Sequence, residues 1–113
     1  MKDDKNKGAL DALTRLTQVI AARAGSRDAG SYTVKLLQNA PLLPAKKLAE
    51  EAVELALAAV SQDKAAVTSE AADVLYHLLV LLQSAGVSLD EVCRLLAARE
   101  GVSGLEEKAG RDK

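Results

Sequence analysis

The stretch KKLAEEAVELALAAVSQDKAAVTSEAADVLYHLLVLL, Lys46 to Leu82, decides the fold. Its apolar residues recur at helical spacing on both sides of a break at Ser61, Gln62 and Asp63. The first half predicts a helix that starts at Pro41 and Pro44 and runs to Val60, since proline is tolerated in a first turn where its missing N–H would be unpaired anyway. Asp63 is placed to cap a second, longer helix from Lys64 to Ala85, which Gly86 stops. So short a connection leaves the two helices antiparallel. Leu75, Leu78, Leu79, Val80, Leu81 and Leu82 make the end of the second helix apolar all round, the mark of an element buried on every side. One short chain can hardly supply that cover. The expectation is an all-α bundle completed by a second copy of the chain through two-fold symmetry.

Working outward, Leu10, Leu13, Leu16, Thr17 and Ile20 give a first amphipathic helix that ends before the GSRDAG loop of Gly25 to Gly30. Ser31 caps a short helix through about Gln38. Ser88 with Glu91 fits a capping box opening a helix through about Arg99, and Ser103 with Glu106 fits another opening a tail helix. No repeat or strand pattern appears, so residues 1–113 read as one domain with its core over about 10–111 and a flexible lead at 1–8.

Composition narrows the function classes. The chain is 49% hydrophobic yet has no Trp, no Phe and only Tyr32 and Tyr76, so Leu, Val and Ala must build the core, a mixture that favours helices. Formal net charge is −1 with Lys and Arg dispersed, which leaves no footprint for nucleic acid. The single cysteine, Cys93, has no partner for a disulfide or a thiolate metal site, and a reducing cytoplasm is the simpler inference. The charged MKDDKNKG start and the lack of a later run of about 20 apolar residues predict a protein neither exported nor embedded in a membrane.

In KKLAEEAVE, helical geometry places Lys47, Glu50, Glu51 and Glu54 along one stripe and Leu48, Ala52, Leu55 and Ala56 along another. Three carboxylates spaced one, three and four apart repel, so a helix does not gather them for its own stability. In EAADVLYHLL, Glu70 and Asp73 lie one turn apart on a helix whose following turns are apolar, which points both acids toward the bundle interior. Buried charge is costly unless it is paired or bound to metal. The antiparallel hairpin lets Glu51 and Glu54 approach Glu70 and Asp73, and four oxygen donors then suit Mg²⁺ or Mn²⁺ rather than zinc. Such an ion keeps positions for water and for phosphate oxygens, as a polyphosphate hydrolase needs. A solvated acidic surface is the bland reading of EExxE alone; the ExxD pair inside an apolar helix is what weighs against it.

The joint pattern of EExxE and ExxD on successive helices resembles the MazG-like all-α nucleotide pyrophosphohydrolases. Three further segments, SYTVKLL at Ser31 to Leu37, EAADVLYHLLVLL at Glu70 to Leu82 and REGVSGLEEKAGR at Arg99 to Arg111, sharpen the resemblance to the phosphoribosyl-ATP pyrophosphohydrolase family. It spans about Leu10 to Arg111. The resemblance implies Mg²⁺-dependent hydrolysis of 1-(5-phosphoribosyl)-ATP to phosphoribosyl-AMP and pyrophosphate, the second step of histidine biosynthesis. It also implies that Glu51, Glu54, Glu70 and Asp73 are metal ligands, while Glu50 either aligns the attacking water or completes the metal shell. Ala40 and Ala49 stand where the family often has glycine, and Leu42 to Pro44 replace a more polar start to the metal helix. Ala40 is the departure that matters, since glycine there could use a backbone conformation alanine resists.

Other residues carry two readings each. Lys47 either touches phosphate or pairs with Glu51 one turn on. The resemblance places Ser31, Tyr32, Thr33 and Lys35 near substrate, with Lys35 the phosphate partner, although Ser31 also reads as a plain helix cap. His77 either hydrogen-bonds Asp73 from behind the metal or is a satisfied core residue. Tyr76 and Cys93 read as packing. Arg99, Lys108 and Arg111 either bind the phosphoribosyl phosphate or complement helix ends. Two competitors remain: a house-cleaning hydrolase of free (deoxy)nucleoside triphosphates, using the same acids, and a non-catalytic helical dimer.

Overall fold

The computed structural model describes residues 2–101, with side chains from residue 8. Among the described residues there are five helices and no strand: α1 (Lys2–Arg23), α2 (Tyr32–Gln38), α3 (Leu42–Ser61), α4 (Lys64–Ala85) and α5 (Leu89–Ala98). The helix α1 starts well ahead of Leu10, the first residue of its apolar repeat. The proposed tail helix at Ser103 lies outside the described residues.

Local chemistry sets the boundaries. Asp63 accepts hydrogen bonds from the backbone N–H groups of Ala65 and Ala66, which satisfies two donors that the first turn of α4 leaves open. Gly86 ends the helix in the left-handed region at φ 72°, where glycine meets no steric penalty. Ser88 and Glu91 form the reciprocal capping box expected at the start of α5. Asp63→Ala should therefore lower unfolding stability by about 1 kcal/mol, read as a lower urea midpoint at unchanged slope.

Ala40, the position in doubt, keeps an ordinary backbone: among the described residues Gln62 is the one non-glycine with positive φ. The Ala40–Pro41 peptide is cis. Pro41 then stands at the N-cap of α3, and Pro44 is buried inside its first turn.

By far the most extensive contact is between α3 and α4, the hairpin set by the Ser61–Asp63 connection. The core lies toward the far end of α4, where Ile20 of α1, Leu36 of α2, and Leu79 and Val80 of α4 are buried together. Short α2 touches α1, α3 and α4 and so closes the bundle at that end.

The apolar run of α4 is only partly covered within the chain. Leu79 and Val80 are buried, Leu78, Leu81 and Leu82 are half-buried, and Leu75 is exposed. On α3, Val53, Leu57 and Val60 form a stripe at helical spacing that is 59%, 64% and 81% exposed. Contrary to the expectation that no segment is long and apolar enough to cross a membrane, α4 passes that test by length and composition, because Ala, Val and Leu outweigh its few charges. The core helix of a soluble protein passes the same test, and the first half of α4 carries two carboxylates, Glu70, half-buried, and Asp73, which is exposed rather than turned to the interior as its spacing suggested.

Candidate metal centre

Glu51 enters from the middle of α3, and Glu70 and Asp73 enter from successive turns of α4. One carboxylate oxygen from each of these three lies within 4.8 Å of the others. The antiparallel hairpin is what makes this possible, since it brings the middle of α3 beside the first half of α4.

Electrostatics show that the cluster is not at rest. Glu51 Oε2 and Glu70 Oε2 are buried without a hydrogen-bond partner, a costly state for an acceptor of charge. Lost hydration raises the Glu70 carboxyl above its ordinary value, and the charges of Glu54, Glu51 and Asp73 push it the same way, with the Glu51 carboxyl also favouring a shared proton. The donor set is all oxygen. Two oxygens on one Mg²⁺ lie at most about 4.2 Å apart, so the observed grouping needs only a small side-chain adjustment to hold a hard divalent ion.

The outcome differs in detail from the four-carboxylate expectation. Glu54 is exposed and stands outside the group of three, although its charge reaches Glu70. Glu50 also stands outside it, held instead by Lys46 at 4.0 Å and Lys47 at 3.4 Å. Lys47 therefore pairs with Glu50 rather than with Glu51. Both pairs are solvent-exposed and contribute little to stability.

The SYT and YH segments meet behind the acids, a pairing that sequence reading missed. Tyr32 hydroxyl lies 2.9 Å from His77 Nε2, and His77 Nδ1 lies 2.7 Å from the backbone carbonyl oxygen of Asp73. Because a carbonyl only accepts, Nδ1 donates to it, and a neutral ring leaves Nε2 to accept from the tyrosine. His77 is thus a buried, satisfied residue that grips the Asp73 backbone, not its carboxylate. One residue along each segment, Thr33 Oγ1 bonds the Tyr76 hydroxyl. The signal was present in the sequence: the only tyrosines and the only histidine all fall within these two short motifs. Lost hydration raises the Tyr32 phenol, opposed by Lys47 and reinforced by Tyr76, Glu51 and Glu50.

Ser31 is fully occupied as a structural group. Its Oγ accepts from Val34 N–H at 3.2 Å and from Arg23 at 2.9 Å, tying the end of α1 to the start of α2. Lys35 is exposed on α2, and Arg99 caps the end of α5, half-buried. Lys108 and Arg111 lie outside the described residues.

Adding Mg²⁺ or Mn²⁺ at neutral pH should raise the melting temperature. At a hundredfold excess over Kd the gain is about 2.7 kcal/mol. The raised Glu70 value sets the sign with pH: the folded, metal-free protein holds that proton more tightly than the unfolded chain, so its contribution is stabilising at low pH and is lost as pH rises through the folded value. Metal-induced stabilisation should accordingly fade on acidification through the carboxylate range. A thermal-shift series across pH checks this, and an increment unchanged by acid would count against these carboxylates as ligands.

The all-α hairpin with three clustered carboxylates is consistent with the MazG-like all-α class. The family model described as phosphoribosyl-ATP pyrophosphohydrolase matches residues 13–100. The chain is 55% identical over 101 residues to the phosphoribosyl-ATP pyrophosphatase of Caulobacter vibrioides, covering 89% of this chain and 94% of that one. It is 54% identical over 99 residues to the protein of the same name from Methylobacterium radiotolerans, covering 88% and 92%. With the one from Dinoroseobacter shibae it shares 52% over 102 residues, covering 90% and 100%. The chain belongs to the phosphoribosyl-ATP pyrophosphohydrolase family.

Proposed function

We propose that the protein hydrolyses 1-(5-phosphoribosyl)-ATP between its α and β phosphates, giving phosphoribosyl-AMP and pyrophosphate, the second step of histidine biosynthesis. The observation that carries this reading is the group of three carboxylates, with two buried oxygens lacking partners, in a chain that matches the family across it. Glu51, Glu70 and Asp73 hold Mg²⁺, or Mn²⁺ in its place, with Glu54, whose charge reaches Glu70, assigned as the fourth ligand. When bound, the ion neutralises phosphate charge and supplies an activated water.

The remaining residues bind and orient. Water adds to phosphorus as the α–β bridging bond breaks, and the bridging oxygen leaves with pyrophosphate. Glu50 stands outside the group of three and is steadied by two lysines, so it is the carboxylate assigned to aligning that water. Lys47 at the edge of the acids, Lys35 on α2, and Arg99, Lys108 and Arg111 toward the C-terminus are assigned to phosphate oxygens. His77 keeps the Asp73 turn in place through its backbone.

The working form is a homodimer, in which the exposed Val53, Leu57 and Val60 stripe of α3 packs on its symmetry mate. The cytoplasm is the assigned compartment, with no nucleic acid or membrane among the partners. Pyrophosphate release with Mg²⁺ from phosphoribosyl-ATP, ATP and deoxynucleoside triphosphates at equal concentration tests the substrate. The expected result is strong preference for phosphoribosyl-ATP. Preference for free triphosphates would assign the protein to nucleotide house-cleaning instead, and silence on all of them would leave a non-catalytic dimer.

A further inference from the structure

We propose that the ring of Tyr32 is the platform on which the substrate's purine base stacks. The inference rests on the reading of the acid cluster as a nucleotide site. The chain has two tyrosines, no phenylalanine and no tryptophan, so stacking on an aromatic side chain falls to Tyr32, Tyr76 or His77, within one copy or between copies. His77 is buried with both ring nitrogens engaged. Tyr76 is half-buried, with Tyr32 stacked against it and His77 edge-on, and its hydroxyl is taken by Thr33. Tyr32 is the ring that remains open, 46% exposed.

Its placement suits the task. Two successive hydrogen bonds, Tyr32 to His77 and His77 to the Asp73 backbone, tie the ring to the turn of α4 that carries one of the three clustered carboxylates. The ring lies nearly parallel to Tyr76, with centroids 6.2 Å apart and planes at 21°, so a base on its open side continues an existing stack. A ring already fixed at its hydroxyl loses little freedom when a base settles on it.

The test compares Tyr32→Leu, which removes the ring, with Tyr32→Phe, which removes only the hydroxyl. Two readouts are taken with Mg²⁺: KM and kcat for phosphoribosyl-ATP, and inhibition by inorganic tripolyphosphate, which has phosphates but no base. Stacking of one base contributes on the order of a 5- to 100-fold change in affinity. Tyr32→Leu should raise KM by about tenfold with a smaller change in kcat, leaving tripolyphosphate inhibition unchanged. Tyr32→Phe keeps the ring but frees it from His77, so it should raise KM by clearly less than Tyr32→Leu does. Equal weakening toward tripolyphosphate, or an equal loss in Tyr32→Phe, would overturn the proposal, because the residue would then be acting through His77 on the acids. Should Tyr32→Leu fail to fold, Tyr32→Trp replaces it: the larger ring should hold phosphoribosyl-ATP at least as tightly and its fluorescence should be quenched by the base, and absence of quenching at saturation would overturn the proposal. If the parent does not hydrolyse phosphoribosyl-ATP at all, the assigned reaction fails, and titration of parent and variants with MgATP decides the ring contact by the same criteria.

Discussion

Glu70→Gln should lose pyrophosphate release by at least about 10²- to 10³-fold while the metal-free protein becomes no less stable than the parent. The two halves of this result come from the same geometry. Glu70 is grouped with Glu51 and Asp73, the charge of Glu54 reaches it as well, and one of its oxygens is buried without a partner. For folding alone, the charge is a liability, since burial and three like charges all oppose it. Glutamine keeps the shape and removes the charge, so repulsion at neutral pH falls. For phosphate chemistry the charge is what holds the ion, so activity falls with it. Glu51→Gln and Asp73→Asn should behave alike in activity. Calorimetry of the metal-free proteins and a pyrophosphate assay suffice, and a variant that is inactive only because it is unfolded would contradict the account.

Leu57→Asp should break the proposed homodimer into monomers and lower the melting temperature. Leu57 is 64% exposed within one chain, between Val53 and Val60 on the outer face of α3. Full burial of an aliphatic side chain contributes about 1.5–3 kcal/mol, and two-fold symmetry counts each residue twice. A carboxylate there would face its own symmetry mate in an apolar layer, a like-charge contact without solvent. Light scattering should give about twice the 11.9 kDa chain mass for the parent and a single chain mass for the variant. The parent's melting temperature should also depend on protein concentration. A variant that stays dimeric would move the interface elsewhere, for example to the exposed Leu95 and Leu96 of α5.

The hairpin was readable because each of its signals is local. Asp63 caps, Gly86 stops, and the apolar spacing between them has one period, so the bounds of α4 follow from single residues and their neighbours. The same holds for the capping box of Ser88 and Glu91. The acids were legible as a set, because like charges at helical spacing need a cation, but their final membership was not. Whether Glu54 or Glu50 joins Glu51 depends on the twist of α3 against α4, which no spacing rule fixes. Lys46 and Lys47 decide the matter for Glu50, and the sequence offers Lys47 two carboxylates without ranking them. The bond between Tyr32 and His77 joins residues 45 apart through the packing of α2 on α4, and such long-range pairs leave no periodic trace.

The most direct measurement follows phosphoribosyl-ATP by phosphorus NMR in the presence of the purified protein, with Mg²⁺ and then with excess chelator. The account predicts one pyrophosphate for each phosphoribosyl-AMP formed, no orthophosphate, and a halt when the metal is removed. Turnover that continues in chelator, or release of orthophosphate in place of pyrophosphate, would contradict it.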